Sequence, residues 1–456
     1  MDAKTIKNCE SRLTQFLKTL DGVFVRPEPR EHLHTYVRGQ LSNLPRKSIE
    51  PIAMEFQTPP RTLQHFLAAA NWDESLMRRN LQRRVVARQT DEDVGIIDET
   101  SYSKKGNKTP GVKRQHCGAT GKKDNCAVTV HLAYAGRGGF RVLLDGELFL
   151  PEDWSADRKR CEEAGIPADM IYRPKWQIAL ELLDAAAENG LRPPWLTFDE
   201  GYGRIPQFHE QLNERGQLYV AETPRSFSGW CKGVDRGVAA SRVDDLVGHS
   251  PVFTGQQWEP YFIKEGEKGP IVWEAKFFHG FFLSDAGEPA GPRWLIVARN
   301  ALDPNEVKYF VANGPPATPR KELLRVGFSR FAVERCFEDD KTEIGLDHFE
   351  MRNYRSLKRH LAVSAASLMF LAEVHREDRG EKPGVDGLPG AHGRQCHDHE
   401  PADDRRLASE LFATTGGENR LRSTEERPSE KESSQGDTAS IAPGRFQNFS
   451  HATMPA

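Results

Sequence analysis

No two of the seven cysteines in this 456-residue chain are spaced as Cys-x-x-Cys; they stand apart at 9, 117, 126, 161, 231, 336 and 396. In a chain this long, that reads as reduced thiols in a cytosolic protein. Long apolar runs are missing too. The most apolar stretch, residues 361–372, contains serines and falls short of the roughly 20 residues that span a bilayer. The start, Met1-Asp2-Ala3-Lys4, has no apolar core of the signal-peptide type. The chain reads as a soluble cytoplasmic protein. A strong charge of one sign is absent as well: the net of -3 argues against a uniformly basic coat. No internal repeat is found.

What is present suffices for a real core. The chain is 38% hydrophobic and 28% charged, with a mean hydropathy of -0.63, and its length allows two or three domains. Charge is unevenly spread. Residues 1–90 carry a net of +6, residues 377–456 a net of -5, and the middle a net of -4. The basic end is partly masked in the total.

Residues 5–20 have helical spacing (Ile6, Leu13, Phe16, Leu17, Leu20), and a Pro-rich connector with Pro27 and Pro29 follows. Thr58-Pro59-Pro60 opens a second helix, because proline suits a first turn. Asn71-Trp72-Asp73 breaks it, and Asp73 can cap the next helix, which carries Arg78, Arg79, Arg83 and Arg84. A basic second helix after a tight turn resembles a helix-turn-helix; a solvated basic face on an ordinary helical hairpin fits equally well. Residues 1–90 are read as a helical DNA-binding region, with the solvated hairpin as the alternative.

Strand patterns begin at 93. Asp93–Asp98, Cys126–Tyr134 and Phe140–Leu150 read as three strands, and 175–188 as a helix ended by Gly190. A strand ending at Asp199, a helix near 205–214 and a strand at Leu218–Ala221 follow. This order suits a mixed α/β sheet flanked by helices. Residues 223–315 read as a β-rich insertion, and 316–376 as helical, broken near Gly345. Beyond 377, few large apolar residues remain to offset ordering entropy, so the tail is expected to be disordered. Within it, His392-x3-Cys396-His397-x-His399 has metal-ligand spacing but no second cluster to complete a site.

Two apolar runs end in Asp-Glu: Val94-Gly95-Ile96-Ile97-Asp98-Glu99 and Trp195-Leu196-Thr197-Phe198-Asp199-Glu200. A carboxylate at a sheet edge is costly unless something pairs with it. Side chains alternate along a strand, so only one of each pair can face a shared site, and periodicity alone does not choose. Downstream, Arg330, Glu334 and Lys341 fall near one helical stripe with Glu338, flanked by apolar Phe331, Val333 and Phe337. Such a helix can deliver Glu334 beside two aspartates. Three converging carboxylates can hold a divalent metal pair for phosphoryl transfer; ordinary surface ion pairing is the alternative for the helix. Residues 101–125 hold Lys104, Lys105, Lys108, Lys113, Arg114, Lys122 and Lys123 against the single acid Asp124. That basic loop suits a polyanion.

The run from Ser329 to Lys341, with Arg330-x3-Glu334-x6-Lys341, resembles the C-terminal signature of DDE-type insertion-sequence transposases, in the group with Tyr-x2-Arg-x3-Glu-x6-Lys. Ile97-Asp98-Glu99-Thr100 and Thr197-Phe198-Asp199-Glu200-Gly201-Tyr202-Gly203 resemble that family's first and second acid motifs. One departure is plain: Gly327 stands where the signature tyrosine belongs. The resemblance covers roughly residues 55–375 and implies a ribonuclease H-like core. It implies that Asp98, Asp199 and Glu334 are catalytic and bind two Mg²⁺ ions, with Mn²⁺ as a substitute. It implies that Arg330 and Lys341 hold DNA phosphates, joined by Lys104, Lys105, Lys108, Lys113 and Arg114. In related transposases an insertion tryptophan receives a flipped base; Trp258 and Trp273 are the candidates, with core packing the alternative for each. The implied partners are double-stranded DNA, as terminal inverted repeats and target, with a dimer on the DNA and a nucleoid-associated location. The rivals are a non-catalytic DNA-binding descendant and an unrelated carboxylate hydrolase using Asp98 and Asp199.

Overall fold

The first acid motif lies on a strand that does not stop at the acid. In the computed structural model, which describes residues 3–231, 239–266, 269–284 and 291–378, strand β1 runs Val94–Ser103. Thr100 and Tyr102 continue the buried face that Asp98 belongs to, so Asp98 is a mid-strand residue and not a strand end. The histidine- and cysteine-bearing tail motif, and the tail expected to be disordered, lie outside the described residues.

The remaining strands are β2 Lys113–Cys117, β3 Lys122–Ala135, β4 Arg141–Leu148, β5 Trp195–Phe198, β6 Leu218–Thr223, β7 Ser228–Cys231, β8 Ser241–Arg242, β9 Glu259–Gly266, β10 Gly269–Leu283, β11 Arg293–Asn300 and β12 Val307–Ala312. They form one sheet in the order β2-β3-β1-β5-β6-β12-β11-β10-β7-β8, with β4 also on β3 and β9 on β10. Pairs β1/β3 and β3/β4 are antiparallel; β1/β5 and β5/β6 are parallel. The segment β4-β3-β1-β5-β6, flanked by helices, is the ribonuclease H-like mixed sheet. The expected β-rich insertion does not make a separate sheet. Its strand β12 pairs antiparallel with β6, so the insertion prolongs that mixed sheet sideways. The basic stretch 101–125 is less a loop than a hairpin: β1 continues into it, and β2 pairs with the start of β3.

Alternation decides which helices cover which face. Ile97, Leu196, Phe198, Tyr219 and Ala221 pack on one side. There they meet the Lys175–Glu188 helix, whose stripe Ile178, Ala179, Leu182, Leu183 and Ala186 matches the sequence spacing. Ile96, Trp195, Val220 and Phe310 face the other side, against Leu323, Val333 and Phe337 of the Arg320–Phe328 and Phe331–Asp339 helices. Each Leu, Ile, Val or Phe among them contributes on the order of 1.5–3 kcal/mol by leaving water. A π-turn, Asp340–Ile344, ends in Gly345 at φ 73°, a left-handed conformation that favours glycine.

The stretch with Pro27 and Pro29 is a helix, Pro27–Leu41, and not a connector. Both prolines occupy its first turn, where a missing N–H breaks no hydrogen bond. Asp73 does cap the Glu74–Val86 helix, accepting from the Ser75 N–H at 2.8 Å. The arginines of that helix turn mostly inward. Arg78 pairs with Asp145 at 2.6 Å, Arg79 donates to Asn189 at 3.0 Å, and Arg84 with Arg88 grips Glu373; among Arg78, Arg79, Arg83 and Arg84, only Arg83 is exposed. From the Tyr354–Asp378 helix, Arg359 donates to the carbonyls of Phe66, Leu67, Ala70 and Trp72. The tight turn is thereby tied to a helix residue that follows Trp72 by 287 positions.

Candidate active site

Register builds the site. Ile97 of β1 lies beside Phe198 of β5, and Phe198 beside Ala221 of β6. The next residue on each strand is Asp98, Asp199 and Glu222. Three carboxylates therefore stand in one row across adjacent parallel strands. Asp98 accepts from the Glu99 N–H at 2.7 Å. Asp199 caps the short Glu200–Gly203 helix, its Oδ1 accepting from the N–H groups of Gly201 at 2.9 Å and Tyr202 at 3.3 Å. That turn packs against β6 so closely that a Cβ on Gly203 would sit 1.9 Å from the Glu222 carbonyl oxygen.

The structure makes the choice that strand periodicity leaves open. Glu99 points to the opposite face, where it pairs with Lys175 and accepts from the Tyr202 hydroxyl at 3.4 Å. Glu200 is exposed on the helix. Asp98 and Asp199 remain for a shared site. Burial, then the charge of Asp199, pushes the Asp98 carboxyl up to about 7, against the pull of Arg330. Burial also raises Asp199; Glu99 adds to it, while the Tyr202 N–H and Arg330 oppose. The two aspartates are desolvated and short of positive charge.

Arg330 is the cation that reaches them. Its Nη1 lies 3.7 Å from Asp98 Oδ2 and 2.9 Å from Glu334 Oε1, and its Nε lies 3.2 Å from Glu222 Oε2. Burial opposes its charge, but Glu222, Glu334, Asp98 and Asp199 together raise its pKa above the ordinary arginine value. Glu334 is thus near Asp98, bridged through one guanidinium nitrogen, and its side chain is half exposed. Lys341 sits in the π-turn, its pKa lowered by burial and held up in part by Asp347 and Asp340. No contact between Lys341 and the acids is found among the described residues.

The donors fit a hard divalent cation in part. Asp98, which is buried, and Asp199, which is half-buried and whose charge raises the Asp98 carboxyl, present oxygen ligands of the kind such ions take. Among the described residues, though, no three His, Cys, Asp or Glu side chains converge closely enough to hold a metal; Glu334 is drawn onto Arg330 instead.

The hairpin cations divide into two sets. Lys104 is turned inward: its Nζ donates to the carbonyls of Asp347 at 2.9 Å and Phe349 at 2.6 Å and lies 3.6 Å from the Phe349 ring centre. Lys108 pairs with Glu163, and Lys113 with Asp153. Lys105, Arg114, Lys122 and Lys123 are exposed. Trp273 is core, packed on Phe328 at 4.9 Å. Trp258 is half-buried between Arg299 and Lys276. At Gly327, a Cβ would come within 3.1 Å of Phe310 and 3.2 Å of Val220, so this position faces the core and not the acids. Glu222 escapes the sequence reading, although Leu218-Tyr219-Val220-Ala221-Glu222 is a third apolar run ending in an acid.

Comparison with known proteins places the chain in a family. The family model described as DDE superfamily endonuclease matches residues 15–259, more than half of the chain, and the chain belongs to that family. Asp98 and Asp199 fall inside the matched segment; Glu334 lies beyond it. The chain is also similar to the probable transposase for insertion sequence element IS701 of Microchaete diplosiphon. The two are 27% identical over 349 residues, which cover 73% of this chain and 78% of the relative. No helix among the described residues is long and apolar enough to cross a membrane.

Proposed function

We propose that the protein is a transposase that cleaves the ends of its own insertion sequence and joins them to target DNA. The observation that carries this is the row of Asp98 and Asp199 at neighbouring parallel strands, with Arg330 and Glu334 brought to it by a packed helix. Family membership supports nuclease chemistry on DNA, and the name of the relative supports transposition.

In this reading Asp98, Asp199 and Glu334 hold two Mg²⁺ ions, or Mn²⁺ in their place. The ions, when bound, supply activation of water or a DNA 3′-OH and stabilisation of the departing 3′ oxygen. The protein's own groups do the rest. The Gly201 and Tyr202 N–H groups fix the Asp199 carboxylate through its Oδ1, and the other oxygen takes no part in those bonds. The Glu99 N–H does the same for Asp98. Arg330 stands where a scissile phosphate can accept its charge-assisted hydrogen bonds, and Lys341 gives phosphate contact further along the chain. Lys105, Arg114, Lys122 and Lys123 run along the backbone of the bound duplex. Residues 1–90 contribute end recognition, and two ends are held by a dimer. A carboxylate hydrolase that uses Asp98 and Asp199 has no use for Glu334 or for the basic stretch 101–125.

The test is Mg²⁺-dependent nicking of DNA carrying the element's inverted repeats. Wild type is expected to nick, while Asp98→Ala, Asp199→Ala and Glu334→Ala bind the ends without nicking. Glu338→Ala is expected to behave as wild type. Specific binding with no cleavage by wild type would favour a non-catalytic DNA-binding protein, and loss in Glu338→Ala with normal Glu334→Ala would show the helix register to be wrong.

A further inference from the structure

Glu222 has no part in the acid motifs or in the Arg-Glu-Lys signature, yet it makes the deepest contact Arg330 has. It is 8% exposed, on the strand next to Asp199 and in the same row. One of its oxygens accepts from Arg330 Nε at 3.2 Å, and the other pairs with Lys308 of β12. A buried carboxylate between two cations is fully compensated, and Lys308 comes from the insertion. The two remaining partners of Arg330 differ from it. Asp98 is at 3.7 Å, a weak contact, and Glu334 is half exposed and free to leave.

We infer that Glu222 is a positioning residue that anchors Arg330 from behind, so that its guanidinium can release Asp98 and Glu334 to a divalent cation without leaving the site. This rests on the cation reading of Asp98, Asp199 and Glu334. Two competitors bid for the same carboxylates: a divalent cation and Arg330. With Glu222 present, Arg330 keeps a buried counter-charge after it lets go of the other two. Without it, a buried guanidinium would have to hold Asp98 and Glu334 in order to stay compensated, and the cation must displace it. Lys308 makes the arrangement conditional on the insertion: β12 has to be paired with β6 for Glu222 to be balanced on its other side.

The experiment uses Mn²⁺ itself as the probe, on the full-length protein without DNA, with bound ion counted from loss of the free Mn²⁺ electron-spin-resonance signal. Wild-type binding that Asp98→Asn removes defines the site. Glu222→Gln is expected to weaken that binding about tenfold, the lower end of what loss of a supporting group around a metal ligand costs. Glu222→Gln combined with Arg330→Met, which removes the competitor, is expected to recover it. Thermal unfolding of the same variants without metal supplies the second readout. There, Glu222→Gln lowers the midpoint, because Arg330 and Lys308 each lose a buried counter-charge. Unchanged Mn²⁺ binding in Glu222→Gln overturns the inference while leaving the cation site standing. A double variant as weak as the single one also overturns it, by making Glu222 a ligand and not a positioner. Absence of Asp98-dependent binding in the wild type overturns the cation reading, and this inference with it.

Discussion

Replacing Asp98 by asparagine should stabilise the folded chain at neutral and alkaline pH. Asparagine keeps the size of the side chain and an oxygen that can accept from the Glu99 N–H, and it removes the charge. The Asp98 carboxyl is raised from 3.8 to about 7 by burial and by Asp199. At about 1.4 kcal/mol per pKa unit, the ceiling on the cost of ionising it is about 4 kcal/mol. The sign follows from linkage. The folded state holds this proton more tightly than the unfolded state, so the cost is absent below pH about 4. It grows as pH rises and is complete above about 7. The asparagine variant has no such slope. It should exceed wild type by at most about 2 kcal/mol at pH 5 and at most about 4 kcal/mol at pH 8, and by more at pH 8 than at pH 5. Unfolding entropy near 2 cal/mol/K per residue comes to about 1 kcal/mol/K for 456 residues. The pH 8 gain is then at most roughly 4 °C in midpoint, read by calorimetry in chelator. Saturating Mg²⁺ should shrink or reverse the gain, because only wild type acquires a ligand. A variant no more stable than wild type at pH 8, or a difference that does not change with pH, would refute the argument that Asp98 is a desolvated, repelled carboxylate.

Restoring the signature tyrosine should do harm. Gly327→Tyr places a ring where a Cβ already meets Phe310 and Val220, and a loss of about 3 kcal/mol or more in denaturant unfolding is expected; full stability with higher activity would count against the core-facing assignment. Gly203→Ala meets the Glu222 carbonyl and should cost about 1–3 kcal/mol, with nicking reduced because Asp199 caps that turn. The hairpin cations should separate in two assays. Lys104→Met is expected to cost about 1.5–3 kcal/mol through the charged hydrogen bonds it removes and to leave the salt dependence of DNA binding unchanged. Lys105→Ala, Arg114→Ala and Lys122→Ala together should keep the melting midpoint and flatten the salt slope by about 0.9 for each phosphate no longer neutralised.

Local pattern carries much of this structure. The Lys175–Glu188 helix is legible because one apolar stripe, a proline at its start and a glycine past its end agree. So is the acid at the end of β5. Pro27–Leu41 resists such reading because two prolines look like a connector until both are placed in one first turn. What cannot be read is non-local. Nothing in residues 223–315 says that β12 pairs with β6, so the insertion's place as a sideways extension of the sheet is invisible in the sequence. The same missing register hides Glu222, since its meaning lies in standing level with Asp98 and Asp199. The inward turn of Arg78, Arg84 and Lys104 is hidden for a similar reason: their partners Asp145, Glu373 and the Asp347 and Phe349 carbonyls are far away in sequence.

Arg359 has a consequence for how the chain is made. Its guanidinium satisfies the carbonyls that close the Pro60–Ala68 helix and its turn, and its contact to Trp72 spans 287 residues. At about 5–20 residues per second, a ribosome needs on the order of 15–60 s to make that span. Through that interval the first helices exist without the helix that completes their core: Phe66 and Trp72 can stack on each other and on Phe24, while the part of the cluster that Ala362, Ala366 and Phe370 complete in the finished protein stays uncovered. A chain cut short before residue 359 would therefore leave the Phe66, Leu67, Ala70 and Trp72 carbonyls without the guanidinium that ties this turn to the Tyr354–Asp378 helix.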